Sequence, residues 1–323
     1  MHPMRLGFAV KVAGRDDLPS NDARRFQNNP HLRVSIGYLR NIFAHLHAIN
    51  VSMYRMSSDI APYHTHPDLP QFHRQVEECA DELAQLGAEA RDQGLRLSLH
   101  PSQFVVINSP DETLVQKSVA DLISQAAILD AMQLGPEAVI VLHVGGVYND
   151  RDGSIERFIR AYETLPEAVR RRLVLENDDV RFSVGDVLRI HAATGVPLIY
   201  DYQHHMCFDR EGMSVQAALT AVLQTWPAGV RPKIHFSTPR TESKIMQRKN
   251  KATGKNEDYL QGPLWTNHAD YINPFEFANV LRTVPDAVFD VMLECKLKDV
   301  ALIRLREDLP RYAPDVAARF GLM

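Results

Sequence analysis

The feature that most constrains this chain is a repeated ending. Short apolar runs close on a His, Asp or Glu, and helix-length segments separate one run from the next. His100 ends LRLSLH, His143 ends AVIVLH, Glu176 ends RLVLE, Asp201 ends VPLIYD, His235 ends PKIH and Glu294 ends AVFDVMLE. Buried strands ordinarily end in turn residues, because a desolvated carboxylate or imidazole must be paired or must hold a cation. Endings of this kind, distant in sequence, call for a topology that gathers strand ends on one face. A (β/α)8 barrel does so, since its parallel strands converge at their C-terminal ends.

The order of elements agrees. Runs at 5–10, 51–56, 95–100, 138–143, 172–176, 197–201, 232–236 and 287–294 read as strands. Apolar residues at helical spacing (Ile36, Leu39, Ile42, Phe43, Leu46, Ile49) mark a helix over 33–49, and helices follow at 71–93, 114–132, 154–171, 183–193, 214–225, 273–281 and 299–309. Connections of crossover length imply a parallel sheet. The expected fold is α/β, a single (β/α)8 TIM barrel over residues 1–323 with its site at the C-terminal strand ends. A doubly wound open sheet is the alternative. The rhythm breaks after strand seven, where a basic loop is inserted at about 240–262.

Composition limits the class of protein. A hydrophobic fraction of 45% with 24% charged residues suits a globular core and disfavours disorder. No apolar run approaches the roughly 20 residues of a membrane helix, and the first residues lack a signal-peptide core. The expected location is therefore cytoplasmic, nucleoid-associated if bacterial, with no membrane partner. Cys79, Cys207 and Cys295 are odd in number and scattered, which argues for a reducing compartment. A net charge of -4 gives no global sign of nucleic-acid binding, so charge placement has to decide.

Imidazole and carboxylate without cysteine suit Mn, Zn or Fe, so the strand ends predict a multi-metal site at the top of the barrel. Glu176 at the barrel centre can bridge two cations. Two metals about 3.5–4 Å apart stabilise the attacking and leaving oxygens of a phosphodiester displacement. Asp201 and His204, in D-x-x-H spacing, can donate two ligands from one strand end and its turn, with His205 a neighbour of the ligands instead. Lys233 and His235 lie two apart and share a face. Either that face is the barrel interior, where the ammonium must be paired, neutralised or modified, or Lys233 points to solvent. The insertion carries Arg240, Lys244, Arg248, Lys249, Lys251 and Lys255 against Glu242 within 240–255. Rising from the catalytic face it would neutralise phosphates; otherwise it is a solvated loop.

With these residues in hand, the chain resembles the UV damage endonucleases, TIM-barrel enzymes that nick DNA beside photolesions. The motifs are YRMSSDIAP, LSLHPSQF, LHVGG, LENDD, YDYQHH, KIHFS, NHADYI and MLECK, spread from residue 5 to residue 298. The resemblance implies a cluster of two or three divalent ions, most often Mn²⁺, held by His100, His143, Glu176, Asp201, His204, His235, His268 and Glu294, with His66 a further histidine near the site. It implies catalytic roles for Glu176, Lys233 and His235, Lys233 matching the family's site lysine. It also implies a nick immediately 5′ to the photoproduct in double-stranded DNA, with no obligate protein partner. Gln103 matches a glutamine that probes damaged bases together with an aromatic residue, which at the matching position is Phe8. Lys244, Arg248, Lys249 and Lys251 are the expected DNA contacts. The alternative is a related metal-dependent barrel, an apurinic endonuclease or a xylose-isomerase-like sugar isomerase, the latter needing a closed pocket and no basic loop.

Overall fold

The structure, a computed structural model, describes residues 3–322. Eight parallel strands form a nearly closed barrel: β1 Leu6–Ala9, β2 Met53–Arg55, β3 Arg96–Leu99, β4 Val139–His143, β5 Leu173–Glu176, β6 Leu198–Ile199, β7 Lys233–Phe236 and, after four excursion strands, β12 Asp290–Leu293. Their order is β6-β5-β4-β3-β2-β1-β12-β7, which excludes a doubly wound sheet. Between β7 and β6 the barrel is closed by a bridge from Asp201 to His235 and by the bond from His235 N to Tyr200 O, 2.9 Å. The excursion comprises β8 Pro239–Arg240, β9 Lys244–Lys249, β10 Asn256–Gln261 and β11 Leu264–His268.

Helices fill the crossovers largely where the apolar spacing predicts them, and local chemistry sets their ends. Asp111 caps the helix Glu112–Ala131 by accepting from Thr113 N and Leu114 N. Ser183 and Asp186 form a reciprocal capping box on Val184–Thr194. Two expected helices are interrupted. The span 71–93 splits into Gln75–Glu78 and Ala80–Asp92 around Cys79, and 154–171 breaks at Pro166 into Arg151–Thr164 and Glu167–Arg170. Proline lacks the amide a helix interior needs. Among the described residues no helix is long and apolar enough to cross a membrane.

Strand alternation separates two packing layers. Val139, Val141, Val174 and Ile199 form one cluster with Trp226, and Ala9, Met53 and Met292 form another, both inside the barrel. The residues between them on each strand face the helices and join the large outer core. Parity then determines which side chains can reach the site. On β4, β5, β7 and β12 the inward set ends on His143, Glu176, His235 and Glu294. On β1 that set is Gly7 and Ala9. A Cβ on Gly7 would lie 2.5 Å from Met53 O, so only glycine fits against β2.

Candidate metal centre

The turns after β3, β6 and β12 extend the strand line by a residue or two and carry His100, Asp201 and Glu294 onto the same rim as His143, Glu176 and His235. Glu176 is buried at the centre and turns one oxygen to each side. Its Oε2 lies 3.1 Å from His100 Nε2 and 3.6 Å from His143 Nε2. Its Oε1 lies 2.7 Å from His235 Nδ1 and 3.7 Å from His204 Nδ1. Glu294 is 3.3 Å from His235 Nδ1 and 3.8 Å from His268 Nε2, and Asp201 is 3.7 Å from His204 Nδ1. The eight residues that the sequence assigned as ligands thus meet in one place. Two groups able to hold an ion share Glu176: His100, His143 and Glu176, and Glu176, Asp201, His235 and Glu294, with donor atoms in each within 4.8 Å of one another.

The donor set fits hard-to-borderline divalent cations. Within it, His143 Nδ1, Asp201 Oδ2 and His235 Nε2 are buried without a hydrogen-bond partner. Buried polar atoms are normally satisfied, so such orphans call for an explanation such as an ion. Titration is strongly perturbed. Burial opposes charge on Glu176 and Glu294, yet His235 and His143 hold Glu176, and Arg55 and His235 hold Glu294, well below the usual carboxylate range. Burial pushes Asp201 up. Burial drops His143 to about 4, whereas His204, despite burial, is raised to about 10 by Asp201, Glu176 and Glu294.

Lys233 lies inside the barrel below this layer, fully buried, its Nζ donating to Ser98 Oγ at 3.1 Å. The solvent-facing alternative is therefore excluded. Burial, then repulsion from Arg96 and Arg55, holds its amine well below the ordinary lysine range. Asn177 locks the closure seam: it donates to Asp201 O at 3.1 Å and accepts from Asp201 N at 2.9 Å. Gln203 accepts from the His268 imidazole at 3.0 Å and donates to Trp265 O at 2.8 Å, tying β11 to the site.

Three expectations are corrected. Phe8 is fully buried on the outward face of β1, edge-on to Tyr54 at 5.5 Å, so it cannot stack on a base; its neighbours Gly7 and Ala9 take the inward face. His66 is exposed, packs edge-on against Tyr63 at 6.1 Å, and is a member of neither ligand group. The basic insertion is a hairpin rather than a loop. Its return strand sets Glu257 opposite Arg248 and Asp258 opposite Gln247, and Arg240 is buried, bonded to Gln261. Arg248, Lys249 and Lys251 remain exposed, while Lys244 lies 4.0 Å from Asp270.

His205 faces away from the ligands, bonded to Met213 O at 3.1 Å. Gln103 is exposed in the turn after β3, and Phe104 beside it is 74% exposed. Both border a cleft of about 460 Å³ that reaches His143 and His204 and is also lined by Tyr148 and Arg181. Phe104, Arg55 and Gln203 were not singled out from the sequence. Arg55 ends YR at a strand terminus, the same signal that marks the candidate ligands, and it pairs with Glu294.

A family model described as UV-endonuclease UvdE matches residues 32–318. A UV DNA damage endonuclease of Bacillus velezensis is 32% identical over 285 residues, 86% of this chain and 82% of that protein. One of Bacillus pumilus is 31% identical over 263 residues, 80% and 75% of the two chains. A crystal structure described as SacUVDE aligns with TM-score 0.77 and 29% identity, covering 95% of this chain and 98% of the other. A structure of L-ribulose 3-epimerase aligns with TM-score 0.55 and 15% identity over 98% and 92% of the chains, a likeness of fold alone.

Proposed function

Because the chain belongs to the UV-endonuclease UvdE family, we propose that it nicks double-stranded DNA immediately 5′ to a UV photoproduct by hydrolysis at a multi-metal centre, with Mn²⁺ the ion that the family resemblance implies. The observation that carries the reading is Glu176, whose two carboxylate oxygens serve different histidine pairs. Bound there, divalent cations would supply Lewis-acid stabilisation and a hydroxide at neutral pH. His100, His143 and Glu176 would hold one, and Asp201, His204, His235, His268 and Glu294, with Glu176 shared, the rest.

The chain's own groups do the positioning. Glu176 and His235 are assigned to catalysis because they organise the ions between them. Lys233, whose amine burial holds well below the ordinary lysine range, sits beneath the carboxylates and is the third residue assigned to catalysis. The hairpin residues Lys244, Arg248, Lys249 and Lys251 contact the DNA backbone as phosphate partners. For damage reading, Gln103 and the exposed Phe104 are the pair, in place of Gln103 and Phe8. Extruding bases costs a few kcal/mol, least at a lesion whose pairing is already weakened. An aromatic ring stacked on an exposed base returns about 1–3 kcal/mol. A sugar isomerase needs a closed pocket. The site here continues into a cleft edged by exposed Gln103 and Phe104, which favours a large substrate.

The test is incubation with Mn²⁺ and a duplex carrying one defined photoproduct. A single nick 5′ to the lesion, leaving 3′-hydroxyl and 5′-phosphate ends, is expected. Equal cleavage of undamaged duplex, or none of either, would overturn the proposal.

A further inference from the structure

The catalytic rim of the barrel is divided by charge. Strands β3 to β7 end in imidazoles and carboxylates. The neighbouring strands β12, β1 and β2, in register through Phe8↔Leu293 and Ala9↔Arg55, lead to cations: Lys298 four residues beyond Glu294, Lys11 two beyond β1, and Arg55 ending β2. Two of these three turns are strained. Val10 has φ 64° and Lys298 φ 46°, in the left-handed region that residues other than glycine rarely enter and that a β-branched side chain avoids. Strained backbone persists only where its surroundings enforce it, and it gathers at functional sites.

The enforcement is visible bond by bond. Lys11 N donates to Ala9 O at 2.9 Å, closing a three-residue turn about Val10, while Val10 N donates to Arg55 O at 2.8 Å. Tyr54 Oη donates to Val10 O at 2.5 Å. On the other side Asp299, next to Lys298 and buried, accepts from Ala13 N at 2.6 Å and Gly14 N at 3.2 Å. The turn bearing Lys11 and the turn bearing Lys298 are thereby stitched together. Lys11 is exposed and Lys298 half-buried. Besides burial, Arg55 and Lys11 repel the Lys298 ammonium, and Glu294 attracts it. Lys11 and Lys298 thus sit on adjoining turns that Asp299 ties together through backbone amides, beside the Arg55–Glu294 pair, and their two ammonium groups make this edge of the rim attractive to an anion.

We propose that Lys11, Arg55 and Lys298 form a phosphate-binding site for one diester group of the DNA strand, seated beside the metal centre on the β12–β1–β2 side of the rim. This rests on the nuclease reading and adds to it the chemistry of the rim beside Glu294, where Lys296 N and Leu297 N donate to Ala269 O and Asp270 O just after the hairpin strands.

The test measures binding of the full chain to a duplex bearing one photoproduct across a salt series, for wild type, Lys298→Gly and Lys298→Arg. A parallel set of duplexes carries one uncharged methylphosphonate at each position around the lesion. Glycine adopts the φ at position 298 freely, so Lys298→Gly should keep the melting temperature. It should weaken binding about tenfold or more, the scale of a charge-assisted contact, and lower the slope of log affinity against log salt by about 0.9. Lys298→Arg should restore the slope. One methylphosphonate position that weakens wild type should leave Lys298→Gly indifferent. An unchanged slope, or no silent position, would overturn the proposal. So would loss of bound manganese in Lys298→Gly, which would make the ammonium a partner of Glu294 instead. If wild type fails to nick the photoproduct duplex, the nuclease reading falls, and a slope loss on undamaged duplex still supports the phosphate site.

Discussion

Two phenylalanines, Phe8 and Phe104, should exchange the roles that the family resemblance and the fold respectively give them. Phe8 has none of its surface exposed and packs edge-on to Tyr54 in the outer core. Phe8→Ala should therefore behave as a core truncation, costing about 3–5 kcal/mol. At on the order of 2 °C per kcal/mol for a chain of this size, the melting temperature should fall by roughly 6–10 °C. Phe104, 74% exposed, has little packing to lose, so Phe104→Ala should move stability by within about 0.5 kcal/mol. If its ring stacks on an exposed base, the loss of about 1–3 kcal/mol should appear in binding of the lesion, roughly a 5- to 150-fold loss of preference over intact duplex. Differential scanning fluorimetry and competition binding with damaged and intact duplexes would measure both variants. The reasoning is refuted if Phe104→Ala discriminates as well as wild type. It is equally refuted if Phe8→Ala keeps its melting temperature and loses discrimination.

Glu176→Gln should abolish nicking while leaving much of the duplex affinity, because the shared ligand acts on the transition state and the basic surface supplies ground-state binding; normal turnover in a single-turnover assay would remove Glu176 from its bridging place. Neutralising Lys249 and Lys251 together should lower the salt slope equally on damaged and intact duplex, whereas Arg240→Ala, a buried side chain bonded to Gln261, should lower stability instead. Protonation gives a further check. His204, raised from 6.5 to about 10, keeps its proton at pH 8 without metal, so cation binding must displace it, and calorimetry in buffers of different ionisation enthalpy should record proton release. The same shift implies that His204 stabilises the metal-free fold fully below pH 6.5 and that this contribution is lost as pH rises through about 10. His143, lowered to about 4, has the opposite effect, removing stability as pH falls from 6.5 towards 4.

The gathering of the candidate ligands is legible in the sequence because a barrel strand ends where its side chains converge, so position along the chain encodes position on the rim. Glu176, His235 and Glu294 are found by that logic alone. The same logic covers Arg55, which ends a strand and meets Glu294, although a lone arginine carries no metal-ligand signature. Phe8 was misplaced because resemblance gives a position without its parity. Reading Gly7 and Ala9 as the inward pair of β1 would have turned Phe8 outward. Phe104 left no trace in periodicity, since an exposed aromatic in a turn belongs to no repeating face. The hairpin reads as a loop because its strands are largely exposed and each face carries a single apolar pair, Ile245 with Leu260 and Met246 with Tyr259, among charged and amide residues, too little to show the alternation that marks a half-buried strand. Lys233 shows how far parity reaches. It fixed the shared face with His235, and only the closed barrel decided that this face is the interior.

The central claim is that Glu176 joins two cation sites. Anomalous diffraction at the manganese edge, from crystals of the protein equilibrated with Mn²⁺, tests it most directly. At least two peaks are expected, one among His100, His143 and Glu176 and another among Glu176, Asp201, His235 and Glu294, with Glu176 touching both. A single peak that Glu176 does not contact, or no peak among these residues, would contradict the account.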